Sequence, residues 1–288
     1  MKLRSTLLLL LLAALIGGAT YAYRTNATVK GILDEYVLGQ EEPKIELPKP
    51  VPLAVFEVGD PTDIDDRQYA IPLIDTAHVG RVLDLLFNGA GGRYWLTHLD
   101  RRSADNPVHY LEVPARFAAY TTITRDGQNT YSWERVQKEH QAKHTQWKSD
   151  SLVNEAAYRA LRARFLIEAE SYLSGTVYVH GSPEHRGTDA IGTLNPAFRS
   201  LGVEDAGHAK EKKFIVMFGD GEHNVRTGEA LLERPTDITI AVVNPRPGAT
   251  KKVITDVVEV DHPDRVLRLL EQASRPATHN SIATNSPQ

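Results

Sequence analysis

The chain has 288 residues, enough for one sizeable domain together with an anchor or an insertion. It contains 33 Lys and Arg and 37 Asp and Glu, which gives a formal net charge of −4. We expect no nucleic-acid partner, because the chain has no surplus of basic residues to bind phosphates. The sequence has no cysteine, which excludes disulfide scaffolds, Cys-ligated zinc, iron–sulfur clusters and thiol catalysis.

The charge and hydropathy pattern of residues 1–24 predicts the cellular compartment of the protein. Lys2 and Arg4 precede nineteen uncharged residues, 5–23, which as a helix would span roughly 28 Å, close to the thickness of a bilayer core. We favour an uncleaved signal anchor over a signal peptide cleaved near Ala22. Because the positive end stays inside, the rest of the chain is expected to be exported, either membrane-anchored on the periplasmic or extracellular side or secreted after cleavage.

Three further segments are defined by composition. Residues 25–50 combine a short helix with a proline-rich linker that is expected to be stiff and extended. Residues 51–275 form the folded domain, and residues 276–288 form a polar tail with little to bury, expected to be disordered.

Within the domain, apolar runs alternate with segments of helical periodicity, which predicts an α/β fold with a mostly parallel sheet and helices on both faces. Asp75 or Thr76 is expected to cap the first of these helices. The predicted strands are residues 52–58, 93–100, 108–114, 175–181, 236–244, 254–261 and the apolar part of 212–224; the predicted helices are 75–88, 131–173, 262–274 and one entered from the loop at 187.

The helical segment forms an insertion at about residues 115–173. It carries Trp133, Val136 and Trp147 among many charges. A sparsely apolar helix with tryptophans either docks on a partner or covers the flank of its own domain, and we favour the second interpretation.

Oxygen-rich loops follow three of the predicted strands: "GDPTDIDD" after the first, "EHRGTDAIG" after residues 175–181, and "GDGEHN" after the apolar run at 212–218. In a parallel sheet the ligand site lies beyond the carboxyl ends of the strands. Carboxylate and hydroxyl oxygens from separate loops suit Mg²⁺ or Ca²⁺.

The motifs "KFIVMFGDGEHN" and "GTDAIGTLNPAF" resemble two loops of the von Willebrand factor type A (VWA) family, across roughly residues 51–275. Asp220, Gly221 and Glu222 match the turn that follows the family's fourth strand, with Gly219 in place of its usual Thr. Thr188 matches the family's metal-binding threonine. The resemblance implies a Rossmann-like VWA sheet and a metal-ion-dependent adhesion site (MIDAS) that holds Mg²⁺.

The first MIDAS loop departs from the family's Asp-x-Ser-x-Ser pattern. In one register Asp60 and Thr62 fill the first two positions and Ile64 replaces the last hydroxyl; in the other, Glu57 takes the place of the aspartate. We prefer the first register, which gives a partly degraded site. The metal ligands implied by the resemblance are Asp60, Thr62, Thr188 and Asp220.

Three of these ligands, and the neighbouring Asp63, also have an ordinary structural role to weigh. Thr188 suits the N-cap of a helix beginning at Ala190, and Asp60, Asp63 and Asp220 suit solvated turns. His140 and His144 share a helix face but lack the internal glutamate of a zinc protease, and a solvated face is the favoured interpretation.

The leading hypothesis is a membrane-anchored, exported interaction module, not an enzyme, that binds a protein partner at the top of its sheet with Mg²⁺. One alternative is a metal-dependent envelope hydrolase that uses Asp60, Asp220 and the histidines His180, His185 and His223. The other is a metal-free structural subunit of an envelope or secretion assembly. Fold class does not decide among the three.

Overall fold

A computed structural model describes residues 49–60, 74–99, 101, 103–123, 130–179, 188–202, 208, 210–219, 229–244, 254 and 256–276. The chain divides into two compact units, one of Met1–Leu47 with Thr121–Lys143 and one of Pro48–Tyr120 with His144–Gln288. The strands are β1 (Leu53–Gly59), β2 (Gly92–His98), β3 (His109–Val113), β4 (Lys212–Phe218), β5 (Ile238–Val243) and β6 (Val258–Val260). The helices are α1 (Thr76–Asn88), α2 (Thr130–Val179), α3 (Ala190–Gly202) and α4 (Pro263–Ser274), and Ser103–Asp105 forms a short 3₁₀ turn.

The second unit contains a six-stranded sheet with the order β3-β2-β1-β4-β5-β6. Only the β2–β3 pair is antiparallel; the other four pairs are parallel. This confirms the prediction of an α/β fold with a mostly parallel sheet.

Strand β1 is buried along its whole length because both faces of the sheet are covered. Its side chains alternate between two cores: Leu53 and Val55 join the cluster with α1, α2 and α4, whereas Ala54, Phe56 and Val58 join the cluster with α3. This period-two alternation places helices on both faces, as predicted.

Helix α1 begins where the capping pattern predicts. Asp75 adopts extended backbone angles, and its carboxylate accepts a hydrogen bond from the His78 backbone N–H at 2.6 Å. After the helix ends, Gly92 takes a positive φ of 149° directly against β1, where a Cβ atom would lie 1.9 Å from the Leu53 carbonyl oxygen. Only glycine permits this approach.

Helix α2 corrects the prediction of a strand at residues 175–181. Residues 175–179 continue the helix that begins at Thr130, so the predicted strand is wrong over those residues. Thr176, Val177, Tyr178 and Val179 are typical strand residues, but a short apolar run does not by itself distinguish strand from helix, and extending an existing helix needs no new nucleus.

The part of α2 that belongs to the second unit packs on the sheet. The ring of Tyr158 stacks on Phe87 of α1 at 3.9 Å, and Phe165 meets the edge of Tyr94 of β2 at 5.7 Å between ring centroids. With Ala169 these residues complete one core cluster. This part of the insertion covers the flank of its own domain, and the role of the segment that carries Trp133 and Val136 stays a prediction.

Several predictions fall on residues 1–48 and 277–288, which lie outside the described residues. These are the anchor, most of the linker and nearly all of the polar tail. Among the helices that the structure does describe, none is long and apolar enough to cross a membrane.

A buried hydrogen-bond network joins β1, α1 and β2. Glu57 is completely buried; the Tyr94 hydroxyl donates to its Oε2 at 2.5 Å, and His78 Nε2 donates to its Oε1 at 2.8 Å. Burial lowers the pKa of His78, but the charge and hydrogen bond of Glu57 outweigh it, so the pKa lies above its ordinary value of 6.5. Burial and the same carboxylate raise the pKa of Tyr94 well above 10.0. A buried carboxylate of this kind is tolerated because both oxygens have partners.

Replacing His78 tests this network. We expect His78→Gln to lower the free energy of unfolding by about 1–3 kcal/mol at low pH. Because the folded-state pKa of His78 is raised, its contribution is complete below pH 6.5 and is lost as the pH rises through the raised value. Denaturant unfolding of both proteins from about pH 5.5 to about pH 9 measures the difference.

A difference in unfolding free energy that stays constant across this range would contradict the role of a protonated His78. Arg164→Gln, an exposed arginine that is not among the charges acting on His78, serves as a control for loss of one positive charge.

Candidate functional site

The carboxyl ends of β1 and β4 form the candidate site. β1 connects to β2 through α1 on one face of the sheet, whereas α3, which leads into β4, packs on the other face. The strand order therefore reverses between β1 and β4. In open α/β sheets a crevice at such a reversal is the usual place for a ligand.

Asp60 is the first residue after β1 and lies between the two strand ends. Its backbone N–H donates to the Phe218 carbonyl at 2.7 Å, continuing the β1–β4 pairing by one residue. The neighbouring Gly59 carbonyl accepts from the Leu99 N–H at 2.6 Å. Asp60 is 1% exposed, so its carboxylate is buried at the strand ends.

Thr188 meets Asp60 from a separate part of the chain, immediately before α3. Its hydroxyl donates to Asp60 Oδ2 at 3.3 Å, and the residue is 2% exposed. The structure thus brings together two of the four predicted ligands, a carboxylate and a hydroxyl, which are donor types that Mg²⁺ accepts. Thr62 and Asp220, the other two, lie outside the described residues.

Asp189 caps α3. The alternative role considered for Thr188, the N-cap of this helix, is therefore wrong. Asp189 Oδ1 accepts from the Gly192 backbone N–H at 2.9 Å, and the helix begins at Ala190 as predicted. The Thr188 hydroxyl is directed to Asp60. A carboxylate is the stronger acceptor for the free N–H groups at a helix N-terminus, and it complements the helix dipole.

Gly219 leaves the space that the Asp60 side chain occupies. A Cβ atom at position 219 would lie 2.7 Å from Asp60 Cβ and 3.1 Å from its Oδ2. With Asp60 in this position, no larger residue fits without movement. This gives a physical reason for glycine at the position where the VWA resemblance expects threonine.

Glu57, the lead carboxylate of the alternative register, lies inside β1 rather than on the loop. Both of its carboxylate oxygens are engaged by Tyr94 and His78 in the core. The carboxylate at the strand end is that of Asp60, which corresponds to the preferred register.

Sequence reasoning missed Asn195, a buried residue within α3. Its side-chain amide donates to the Ala230 carbonyl at 3.1 Å, and its Oδ1 accepts from the Leu232 backbone N–H at 2.9 Å. It fixes the backbone of residues 230–232, in the described segment between β4 and β5. The only signal in the sequence was an asparagine, followed by Pro196, inside an otherwise apolar helical pattern.

The histidines weighed as ligands are engaged in other ways or lie outside the described part of the chain. His140 Nε2 donates to the Thr121 carbonyl at 2.9 Å. In the other unit, the His144 ring packs on Tyr120 and Trp147. In the described part of the chain, no group of three His, Asp or Glu side chains is arranged to hold a metal ion. Asp63, His180, His185 and His223 are not among the described residues.

No protein-family model matches the chain, and no curated protein matches it. Two solved structures of proximal thread matrix protein 1 from the mussel byssus are similar over 79% of this chain and 48% of theirs, at 9% and 10% sequence identity. The TM-scores are 0.33 and 0.32, too low to carry an argument about fold or function. The match spans about half the length of those chains.

Adding a methyl group at position 219 tests the packing of the site. We expect Gly219→Ala to lower the free energy of unfolding by about 1–3 kcal/mol, because the new Cβ overlaps Asp60. Gly202→Ala is the matched control, since the nearest atom to its new Cβ, Pro235 Cγ, lies at 3.8 Å, an ordinary contact distance. Equal unfolding free energies for the two variants in urea would show that Asp60 does not occupy this position.

Proposed function

We propose that this chain is a VWA-type interaction module that binds a protein partner at the carboxyl edge of its sheet, with Mg²⁺ as the mediating ion. The observation that carries the proposal is the buried contact between Asp60 and Thr188 at the point where the strand order reverses. The two residues come from separate loops and are 128 positions apart in the sequence.

The topology supports this proposal. The VWA resemblance assigned residues near 93–100 and 108–114 to the second and third strands, and placed Thr188 and the Asp220 turn on loops at one edge of the sheet. In the structure β2 pairs with β1, and β3 pairs with β2 as the edge strand on that side of the sheet. The Thr188 hydroxyl donates to Asp60, and Gly219 directly follows β4.

The burial of Asp60 fixes the position of its carboxylate at the strand ends. A carboxylate that is 1% exposed is unfavourable unless hydrogen bonds or a positive charge compensate for its lost hydration. Thr188 supplies one hydrogen bond, and the beginning of α3 lies next to it in the chain. These contacts hold the carboxylate beside the position where the proposal puts the ion.

The residues that would hold the ion are Asp60 and Thr188, together with Thr62 and Asp220, which follow β1 and β4 in the sequence. Bound Mg²⁺ would offer an open coordination position to a carboxylate of the partner. Asp60 would supply the charge that retains the ion, and Thr188 a neutral oxygen that also orients Asp60. Because Ile64 replaces one hydroxyl of the family pattern, water would complete the coordination.

The proposed setting is the cell envelope. The N-terminal residues 1–24 would anchor the module in the membrane with the domain exported, and the proline-rich linker would separate the two. In this setting the module acts by binding rather than by catalysis.

Titration calorimetry with Mg²⁺ and Mn²⁺ tests the proposal. We expect saturable binding to one site, about tenfold or more weaker in Asp60→Asn, which keeps the shape of the side chain but removes its charge. Thr188→Val should weaken binding less, because water can replace a neutral ligand. Asp261→Asn is the control. Asp261 is an exposed carboxylate that pairs with Arg265 and is not one of the proposed ligands, so this variant should bind Mg²⁺ as the wild type does.

The same experiment separates the alternatives. No binding by the wild-type protein would overturn the metal-dependent proposal in favour of a metal-free structural subunit. Two exchange-coupled Mn²⁺ ions in electron paramagnetic resonance spectra would indicate a spacing of about 3.5–4 Å and favour the hydrolase.

A further inference from the structure

A cleft rich in arginine lies between α1 and α2 within the second unit, away from the candidate site. Its volume is about 300 Å³. Three guanidinium groups, those of Arg116, Arg159 and Arg162, line it together with two carboxylates, Asp84 and Glu155. We call this feature the arginine cleft. Its charged groups sum to one net positive charge.

The floor of the arginine cleft is rigid. The rings of Phe87 and Tyr158 are stacked almost parallel, at 3.9 Å and 3°, and both residues are buried in the core. The Tyr158 hydroxyl donates to Asp84 Oδ1 at 2.6 Å. The floor therefore fixes one carboxylate, Asp84 of α1, against α2, the helix that carries Arg159 and Arg162.

The two carboxylates are used differently. Asp84 is engaged at the floor by Tyr158 and by Arg162, whose Nη2 donates to Asp84 Oδ2 at 3.0 Å. Glu155 lies between the other two arginines: its Oε1 accepts from Arg116 at 2.8 Å and its Oε2 from Arg159 at 3.3 Å. The Glu155 carboxylate thus occupies the place that an anionic ligand would take between two guanidinium groups.

The arginines of the cleft have N–H donors that its carboxylates do not use. A guanidinium group has five N–H donors, yet within the described residues Arg159 makes one polar contact, the long one to Glu155, and is 78% exposed. Arg162 Nε lies 2.9 Å from Asp84 Oδ1, but it is buried and has no well-aligned acceptor in the part of the chain described. The cleft therefore supplies more donors than its own carboxylates use.

We propose that the arginine cleft binds a phosphate group, either free phosphate or the phosphate of a phosphomonoester. A carboxylate has two oxygens and already satisfies two arginines here, whereas a phosphate dianion has enough acceptor oxygens for three guanidinium groups at once. Arginine is also the side chain whose planar donors match phosphate geometry best. The volume leaves room for a small ester group beside the phosphate.

Glu155 then acts as a competing internal anion. Binding requires its carboxylate to move away from Arg116 and Arg159, and the 3.3 Å contact to Arg159 is the weaker of the two. This makes a diagnostic prediction: removing the charge of Glu155 strengthens phosphate binding, while removing that of Arg159 weakens it. The inference does not depend on the function proposed for the sheet edge.

The test is titration of the full-length protein with inorganic phosphate at constant ionic strength, followed by calorimetry. We expect Arg159→Gln to weaken binding about tenfold and Glu155→Gln to strengthen it about tenfold, the order expected for one charge-assisted contact at a partly exposed position. A parallel titration with glycerol 3-phosphate distinguishes a free phosphate ligand from a phosphomonoester by which of the two binds more tightly.

Arg164 and Glu168 provide matched controls. They form an exposed i,i+4 pair on the same helix, as Glu155 and Arg159 do, but neither lines the cleft. Arg164→Gln and Glu168→Gln should leave phosphate affinity unchanged. Equal effects of the control and cleft variants would show a general charge effect, and absence of binding in both the wild type and Glu155→Gln would also overturn the proposal.

Discussion

The parallel pairing of β1 with both β2 and β4 is the constraint on which the rest of the molecule depends. The register aligns Gly59 with His98 on one side and with Phe218 on the other, so the three strands end at the same level. The chain therefore leaves the three strands side by side, at Asp60, Leu99 and Gly219. Two backbone hydrogen bonds join these ends: the Asp60 N–H donates to the Phe218 carbonyl, and the Leu99 N–H donates to the Gly59 carbonyl. Backbone hydrogen bonds and two buried cores therefore fix the positions of these strand ends relative to one another.

The two carboxylates near the end of β1 have different environments because side chains alternate along a strand. Glu57 lies on the face that packs against α1 and α2, where Tyr94 and His78 satisfy it. Asp60 is three positions further on, which brings it to the other face, where α3 begins and Thr188 contacts it. The odd spacing of three therefore places Glu57 in the core and Asp60 at the strand end beside Thr188, and the choice between the two registers of the metal loop stays a prediction.

The sequence predicted the elements whose signals are local. Apolar runs located β1 and β4, and the capping pattern at Asp75 located the start of α1 to within one residue. It did not predict the end of α2, because the β-branched residues there favour a strand while the helix before them favours continuation. Nor did it predict the Glu57 network or the overlap that requires Gly219, since both depend on contacts between distant parts of the chain.

The insertion illustrates how packing on one face of a helix determines chemistry at its edge. Tyr158, Phe165 and Ala169 are spaced seven and four residues apart, which places them on one face of α2 against the core. Arg159 and Arg162 follow Tyr158 by one and four positions, so the same packing brings both guanidinium groups to the rim beside α1. The arginine cleft is thus a geometric consequence of how the insertion buries its apolar residues. A change that altered the rotation of α2 about Tyr158 would move the core contacts and the arginines together.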